Sequence, residues 1–376
     1  MKIGIDISQI AYEGTGVAQY TSELVRNLIS NDSTNSYKLI GFNFGKREYL
    51  ARFCNELTKI NNNVTFRIFP YPEKLSTYLW NDFHHLNLSS LIGPLDVFHS
   101  SDWTQPPICA KTITTIHDMI VYRYPETSHP YIVKTQKKRL SLVKRECNHV
   151  IADSKATKTD IIDYLQIHGS NISVVYPGID KRFFSPSLSD IEKVKKRYNL
   201  KSNYILSVGT LEPRKNIKRV LKAFERFKEH RLVKDKGPVE LILVGREGWG
   251  TDYKLSQSVR SLGFVPDNFL PALYKNARLF VYPSLYEGFG FPVLEAMAAE
   301  CPVLTSDRGS LKEISGNSAI LVDPEDVNSI AIKMVQGYID TAFRSDITSH
   351  AKQHAEQFSW SKAANLIRNI YESLVR

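Results

Sequence analysis

Short apolar runs rich in β-branched residues alternate with helical segments along most of the chain. Strands that are joined through helices usually lie parallel, so this alternation predicts an α/β fold with mainly parallel sheets covered by helices on both faces. The predicted strands form two series. The first comprises residues 3–7, 38–42, 64–68, 97–99, 112–116, 149–152 and 172–175, and the second comprises residues 204–208, 240–244, 279–282, 302–305 and 319–322.

The two series imply two domains with separate cores. A chain of 376 residues exceeds the usual size of a single domain. Between the series, Pro177-Gly178 and the Ser- and Pro-rich residues 185–189 interrupt regular structure. We therefore predict a first domain over residues 1–180, a linker over residues 181–202 and a second domain over residues 203–357.

Two carboxylates bracket a glycine-rich turn in the stretch Glu287-Gly-Phe-Gly-Phe-Pro-Val-Leu-Glu295. A predicted strand precedes this turn, and a helix that begins near Pro292 follows it. Gly288 and Gly290 let the backbone come close to a ligand, and the free amides of the helix favour a phosphate there. The two oxygens of Glu295 match a pair of vicinal hydroxyls such as those of a ribose. Phosphate and diol together indicate a nucleotide.

The cysteines and the apolar segments indicate the cellular compartment of the protein. The four cysteines are widely spaced and include no C-x-x-C pair, which argues against a zinc site or a disulfide framework and fits a reducing cytosol. No run approaches the roughly 18 to 20 apolar residues that a membrane span requires. Asp6 interrupts the apolar amino terminus that a secretory signal needs. We therefore expect a cytoplasmic protein.

The net charge of +10 is unusual for a globular protein of ordinary composition. It could attract phosphorylated donors, anionic lipid or nucleic acid. A predicted helix carries the basic run Lys134-Thr-Gln-Lys-Lys-Arg139 together with Lys144 and Arg145. Either this helix presents a solvated face, or it approaches anionic lipid at the inner face of a membrane. Basic and aromatic residues do not alternate in the manner of nucleic-acid-binding proteins, so we expect no nucleic-acid partner.

The stretch from Glu287 to Glu295 resembles the E-x7-E motif of retaining glycosyltransferases with two Rossmann-like domains. That family includes bacterial mannosyl- and glucosyltransferases. Three further segments match it in the expected order: Gly14-Thr-Gly16 after the first strand, His117-Asp118 after a later strand, and residues 210–216, Thr-Leu-Glu-Pro-Arg-Lys-Asn, after the first strand of the second domain. The resemblance therefore extends over both halves of the chain.

The resemblance implies the GT-B fold, in which two Rossmann-like domains with mainly parallel sheets face a central cleft. It also implies that the last helix, within residues 358–376, crosses back onto the first domain. By the same resemblance, His117 and Glu287 are the expected catalytic residues. The expected substrate-binding residues are Gly14, Gly16, Gly209, Arg214, Lys215, Val265, Gly288, Phe289, Gly290 and Glu295, with Val265 in the segment that contacts the base through backbone groups.

Some of these positions have an alternative structural interpretation. The pair Gly14 and Gly16 is followed by Gln19 where a dinucleotide-binding loop would have a third glycine, so an NAD site is disfavoured and a simple tight turn stays open. His117 lies at the carboxyl end of a predicted strand, where ligands of open parallel sheets bind, although a structural histidine is common there. Asp118 is either an orienting partner or a helix cap.

Arg214 and Lys215 are either solvated cations or phosphate ligands, and their position between a strand and a helix favours the second interpretation. Many members of the family carry an arginine directly after the glycine that ends this strand, whereas Thr210 follows Gly209 here. The assignment to the diphosphate is therefore more secure for Lys215 than for Arg214.

The chain contains no D-x-D triplet, so we expect no metal ion and no cofactor, with helix amides and Lys215 facing the diphosphate instead. By resemblance, the expected reaction is transfer of a hexose, with mannose first, from GDP-mannose or secondly a UDP-hexose to a glycan or polyprenyl-linked acceptor. The configuration of the sugar would be retained. Two alternatives stay open: a nucleotide-sugar epimerase or glycan phosphorylase of similar architecture, and a basic membrane- or polyanion-binding module.

Overall fold

The computed structural model describes residues 1–201, 203–250 and 253–376. The chain divides into two compact units, one formed by residues 1–178 with 359–376 and the other by residues 179–358. The segment predicted as a linker, residues 181–202, lies within the second unit. All twelve predicted strands are present, with ends that differ by at most two residues. One strand, Val259–Ser261, was missed because three residues with a polar centre carry too little pattern.

The first unit contains a seven-stranded parallel sheet in the order β3-β2-β1-β4-β5-β6-β7. Ile3 of β1 lies opposite Tyr37 of β2 on one side and Val97 of β4 on the other. The chain reverses its direction of strand addition between β1 and β4, which makes this the topological switch point. The strands are β1 Lys2–Asp6, β2 Ser36–Phe42, β3 Val64–Phe69, β4 Val97–Ser100, β5 Lys111–Ile116, β6 His149–Ala152 and β7 Ile172–Val174.

Helices connect these strands and bury their apolar faces against the sheet. The first of them begins where the Thr15 hydroxyl accepts a hydrogen bond from the Ala18 amide at 3.2 Å, which satisfies a free amide of its first turn. The helices are α1 Gly16–Ser30, α2 Arg47–Ile60, α3 Glu73–Thr77, α4 Ser89–Ile92, α5 Ile120–Arg123, α6 Pro130–Glu146 and α7 Lys155–Leu165, with a π-helical turn at Tyr78–Phe83 and 3-10 turns at Ser8–Ala11, Pro125–Thr127 and Gly169–Asn171.

The second unit contains a six-stranded parallel sheet in the order β10-β9-β8-β11-β12-β13. Its switch point lies between β8 and β11, since the strands that follow β8 in sequence add on one side and the later strands add on the other. The strands are β8 Ile205–Val208, β9 Leu241–Val244, β10 Val259–Ser261, β11 Leu279–Tyr282, β12 Val303–Ser306 and β13 Ile320–Val322.

The helices of the second unit pack around this sheet. Apolar residues of α9 at positions 217, 220, 224 and 227 lie on one face and enter the core, which is the spacing of an amphipathic helix. The helices are α8 Leu188–Tyr198, α9 Ile217–Glu229, α10 Arg231–Lys234, α11 Leu270–Asn276, α12 Phe291–Ala298, α13 Gly309–Ser315, α14 Val327–Ile339 and α15 Thr341–Ala355, with 3-10 turns at Lys181–Phe184, Pro213–Lys215 and Asp267–Phe269.

The last helix, α16 Trp360–Val375, belongs to the first unit. The Tyr371 hydroxyl lies 2.7 Å from Nδ1 of His99 at the end of β4, and Trp360 packs edge-on against Tyr20 of α1. The returning chain passes so close to Gly178 that a Cβ atom there would lie 2.1 Å from the Trp360 amide nitrogen. Only glycine allows this crossing.

Candidate active site

The loops that follow β8 and β11 meet at the switch point of the second unit. Arg214 and Lys215 lie in the 3-10 turn after β8, and Glu287 follows β11. The Asn216 side chain ties the two loops together by donating a hydrogen bond to the Pro283 carbonyl at 3.0 Å, and it also donates to the Pro324 carbonyl, in the loop after β13, at 2.6 Å. Because the loops are joined in this way, residues about seventy positions apart are held side by side.

Glu287 is the centre of a buried polar network. Its Oε1 accepts hydrogen bonds from Lys215 Nζ at 2.7 Å and from the hydroxyls of Tyr282 at 2.8 Å and Ser284 at 2.7 Å. Its Oε2 pairs with the guanidinium of Arg214. Burial alone would raise the pKa of Glu287, but the two cations outweigh it and lower this pKa to about 2. Glu287 is therefore an anion throughout the physiological range.

The two cations differ in how their charge is balanced. Arg214 pairs with Glu212 at 2.6 Å as well as with Glu287. Lys215 is more deeply buried, and its ion pair is with Glu287 at 2.7 Å. Burial and the neighbouring Arg214 lower the pKa of Lys215. The ion pair that balances the charge of Lys215 is therefore made with a single carboxylate, that of Glu287.

The glycine loop forms the beginning of α12. Gly290 caps this helix with a φ of 114°, and a Cβ atom there would lie 2.6 Å from Leu311 Cδ2, so only glycine fits. The Ser310 hydroxyl donates to the Glu287 carbonyl at 2.7 Å and holds the loop. The Phe289 side chain packs against Phe291 with 5.1 Å between ring centroids. Phe289 is therefore a packing residue whose backbone, rather than its ring, is available to a ligand.

Glu295 has a different environment from Glu287. It lies on α12, is 6% exposed, and accepts a hydrogen bond from the Tyr274 hydroxyl at 3.0 Å. Burial raises the pKa of Glu295 to about 7, which the Tyr274 hydrogen bond only partly offsets. The pKa values of the two carboxylates of the motif are thus shifted in opposite directions, and Glu295 changes charge near neutral pH.

The other predicted residues of the second unit lie at the same edge of the sheet. Gly209 ends β8 with a φ of 144°, and an added Cβ would lie 3.5 Å from the Lys215 side chain. Val265 is buried in the loop after β10, two strands away from β8. The structure therefore brings Gly209, Arg214, Lys215 and Glu287 together, and it places Val265 further along the sheet.

In the first unit, His117 follows β5 and Asp153 follows β6. His117 Nδ1 lies 2.7 Å from Asp153 Oδ2, and the ring of Tyr20 contacts the imidazole edge-on with 4.6 Å between centroids. Burial lowers the pKa of His117, but the nearby carboxylates, of which Asp153 contributes most, together outweigh burial and raise this pKa. Asp118 instead accepts a hydrogen bond from the Ile120 amide at 3.0 Å, which is the role of a local cap.

Several carboxylate oxygens at this edge are buried without a hydrogen-bond partner among the described residues. They are Oδ2 of Asp6 at the end of β1, Oδ1 of Asp102 after β4 and Oδ1 of Asp153. Such oxygens are costly unless a donor reaches them. The fully buried Arg139 of α6 donates to the Thr114 hydroxyl at 2.6 Å and brings a positive charge near these acids. Sugar or polyol hydroxyls are suitable donors to such an edge.

Gly14 and Gly16 lie in an exposed loop between β1 and α1. Gly14 has a φ of 79°, and Gly16 is the first residue of α1. Of the basic residues on α6, Lys138 pairs with Asp82 and Arg145 with Glu146. Among the described residues, no helix is both long enough and apolar enough to cross a membrane.

Four residues of the two sites were missed in the sequence. Tyr282 and Ser284 bind Glu287, Tyr274 binds Glu295, and Asp153 orients His117. A signal existed for Asp153, because a polar residue directly after a buried strand falls at the ligand-binding edge of the sheet. Tyr274 lies within a helix and had no comparable signal.

Two family models match the chain. The family described as Glycosyltransferase Family 4 matches residues 14–183, and the family described as Glycosyl transferases group 1 matches residues 189–354. Together they cover most of both units.

Characterised relatives match over nearly the full chain. O-antigen chain mannosyltransferase B of Escherichia coli is 28% identical, and the match covers 100% of both chains. O-antigen chain mannosyltransferase RfbU of Salmonella typhimurium is 29% identical, over 90% of this chain and 92% of that protein.

Solved structures share the fold at lower sequence identity. HepE of Anabaena, in complex with UDP and glucose, has a TM-score of 0.71 at 20% identity, with 99% of this chain and 100% of that chain covered. A sucrose-phosphate synthase from Thermosynechococcus elongatus has a TM-score of 0.76 at 18% identity and covers 100% of this chain and 99% of that one.

Proposed function

We propose that this chain, which belongs to the GT-B glycosyltransferases with two Rossmann-like domains, transfers mannose from GDP-mannose to a saccharide acceptor with retention of configuration. The full-length relatives named above are O-antigen mannosyltransferases, which favours mannose as the sugar and a growing polysaccharide as the acceptor. They are transferases, so the epimerase, phosphorylase and polyanion-binding alternatives are disfavoured. A UDP-hexose is the second candidate donor, since the relative HepE was solved with UDP and glucose.

The observation that carries the proposal is the partly buried pair of cations, Arg214 and Lys215, at the switch point of the second unit. In this proposal the donor diphosphate binds beside these cations and the amides that begin α12, within reach of the backbone at Gly209, Gly288 and Gly290. Glu295 accepts hydrogen bonds from the ribose hydroxyls, and the segment at Val265 faces the base.

The first unit binds the acceptor in this proposal. His117 contacts the transferred sugar or the attacking hydroxyl through Nε2, since Asp153 occupies Nδ1. The unpartnered oxygens of Asp6 and Asp102 accept hydrogen bonds from acceptor hydroxyls. The loop with Gly14 and Gly16 follows β1 at the same edge and is a further proposed contact of the donor.

The chemistry follows from where charge develops. As the bond between the anomeric carbon and the phosphate oxygen breaks, negative charge grows on the leaving diphosphate, where Lys215 and Arg214 stabilise it. Positive charge grows on the sugar ring, where the permanently ionised Glu287 stabilises it. A bond forms between the acceptor oxygen and the same face of the anomeric carbon, and the acceptor proton passes to a donor phosphate oxygen. With two fixed cations at the diphosphate, this scheme requires no metal ion.

The acceptor is a glycan or is linked to a polyprenyl phosphate. For the second kind, cations of α6 outside the ion pairs given above, such as Lys134, would approach anionic lipid at the inner face of the membrane. The protein would then be cytoplasmic and peripheral to that membrane.

The test is titration of the purified protein with GDP-mannose, UDP-glucose and UDP-N-acetylglucosamine, with and without a chelator, followed by measurement of nucleoside diphosphate release in the presence of acceptor. We expect saturable, chelator-resistant binding of GDP-mannose and acceptor-dependent release of GDP. Preferential binding of a UDP-sugar would reassign the donor. Binding of none of the three would contradict the proposal.

A further inference from the structure

A groove of about 660 Å³ opens on the first unit, one strand out from the switch point. It lies at the carboxyl ends of β1 and β2, where ligands of parallel sheets bind. Its walls come from Glu13 in the loop after β1, from residues 44–46 after β2, and from the first turns of α2. Arg26 of α1 and Arg52 of α2 also line it.

An aromatic ring stands exposed at this groove. Phe44 is 71% exposed, which is unusual for a phenylalanine and leaves a ring face open to a ligand. The adjacent Gly45 has no side chain to cover that ring. On another wall of the groove, the Arg26 guanidinium lies over the buried Phe53 ring, 4.8 Å from its centroid. An exposed aromatic face beside polar groups is well suited to the apolar face of a sugar ring.

The charged groups of the groove balance one another. Glu13 pairs with Lys46 at 3.3 Å, and Arg26 pairs with Glu56 at 2.9 Å. Four cationic and three anionic side chains line the groove in all. A diphosphate or other polyanion would meet the three carboxylates as well as the cations. A neutral polyhydroxylated ligand can instead use both, because its hydroxyls donate to carboxylates and accept from guanidinium groups.

The groove begins next to the proposed acceptor edge along the chain. Glu13 directly precedes Gly14 of the glycine loop, and β1 carries Asp6 at the end that meets this loop. A saccharide whose terminal unit lies at the switch point would therefore extend outward over β2 and into the groove. A volume of this size falls in the range of ligand sites and exceeds the needs of one sugar ring.

We propose that this groove binds the neutral hexose units of the acceptor saccharide that precede the unit receiving the new sugar. Phe44 stacks on one of these rings, and the paired charges hold its hydroxyls. The proposal rests on the function proposed above and extends it, since it assigns the enzyme to elongation of an existing chain rather than to the addition of a first sugar to a lipid or small molecule.

The test is calorimetric titration of the full chain with α-linked manno-oligosaccharides of one to four units, without donor. We expect affinity to rise with length up to at least three units. Phe44→Ala should weaken binding of the tetrasaccharide about tenfold, as the loss of an aromatic stacking contact implies, and should change binding of the monosaccharide little. Arg52→Ala should act in the same direction.

Tyr164→Ala is the matched control, because Tyr164 is an exposed aromatic residue of the same unit on α7, at the opposite side of the sheet. It should leave tetrasaccharide binding unchanged. Binding that is independent of length, or that is equally insensitive to Phe44→Ala and Tyr164→Ala, would overturn the proposal. Tighter binding of inorganic pyrophosphate than of tetrasaccharide at this groove would also overturn it.

The donor titration separates this proposal from the function on which it rests. If GDP-mannose binds and is turned over while the groove variants leave every oligosaccharide unaffected, the groove assignment fails and the transferase assignment survives. If no nucleotide sugar binds but the oligosaccharides bind through Phe44, the proposed donor assignment fails and the groove assignment survives.

Discussion

The ligand edges of the two sheets are built in opposite ways. In the second unit, the cations Arg214 and Lys215 are paired with Glu287 and Glu212, so the charges at that edge are already balanced. In the first unit, Asp6 and Asp153 are buried with oxygens that lack a hydrogen-bond partner among the described residues. At the switch point of the second unit Glu287 is satisfied internally, whereas Asp6 and Asp153 of the first unit each keep one oxygen without a partner among the described residues.

The difference matches the chemistry of two kinds of substrate. An incoming diphosphate has to share Lys215 and Arg214 with Glu287, so binding of the anion is coupled to the position of the carboxylate that faces the sugar. Acceptor hydroxyls need no such exchange, because they donate to oxygens that are otherwise unsatisfied. The second unit would therefore respond strongly to changes of charge, and the first unit to changes in hydrogen-bond donors and orientation.

The largest effect is expected from Glu287→Gln, which removes the anion and keeps the shape. We expect kcat to fall by about 10³-fold, since a group that stabilises transition-state charge is lost. GDP-mannose binding should be retained or tighter, because the two cations no longer have Glu287 as a partner. Steady-state kinetics measure the change in kcat, and calorimetry measures the change in GDP-mannose affinity. A loss of affinity that accompanies the loss of kcat would contradict the view that Glu287 balances the charge of the two cations.

We expect Lys215 and Arg214 to contribute unequally to donor binding. Lys215→Met should weaken GDP-mannose binding by about 100-fold, whereas Arg214→Met should weaken it about tenfold, because the charge of Arg214 is already shared between two carboxylates. Calorimetric titration of both variants gives the comparison. Equal losses would show that Glu212 does not reduce the contribution of Arg214.

In the first unit, Asp153→Asn should lower kcat about tenfold with little change in donor affinity, because the carboxylate orients His117. Asp153 raises the pKa of His117, so its removal should lower that pKa. Whichever protonation state is active, the limb of the pH–rate profile that His117 controls should move to lower pH. Asp118→Asn is the control, and an equal shift in that variant would contradict the assignment of Asp153.

An effect of similar size is expected in the pH dependence of donor binding. The pKa of Glu295 is about 7, so this group is ionised above neutral pH and protonated below it. If the carboxylate accepts the ribose hydroxyls, GDP-mannose should bind about tenfold more weakly at pH 6 than at pH 8. Glu295→Gln should flatten this dependence. A wild-type affinity that is constant over this range would contradict the role given to Glu295.

Much of the fold was predictable from the chain alone. The strands of parallel sheets are buried on both faces and appear as continuous apolar runs, so twelve of them could be recognised without any knowledge of their neighbours. The strand Val259–Ser261 could not, since its central residue is Arg260 and its three residues are too few to form a pattern.

The candidate site was predictable only in part. The motif from Glu287 to Glu295 identified a strand, a glycine turn and a helix, because these features are local and depend on backbone conformation. Its two carboxylates looked alike in sequence. Their opposite pKa shifts arise from different neighbours, the cations beside Glu287 and the apolar burial of Glu295 beside Tyr274.

The type and order of the elements could be predicted from the chain, as could the strands that glycines and charged residues follow. Which of those residues meet depends on how the strands are arranged in the folded protein. Lys215 reaches Glu287 across 72 positions and His117 reaches Asp153 across 36, because β8 lies beside β11 and β5 lies beside β6. Strand order is set by the packing of helices onto the whole sheet, and the periodicity of a single segment carries no record of it.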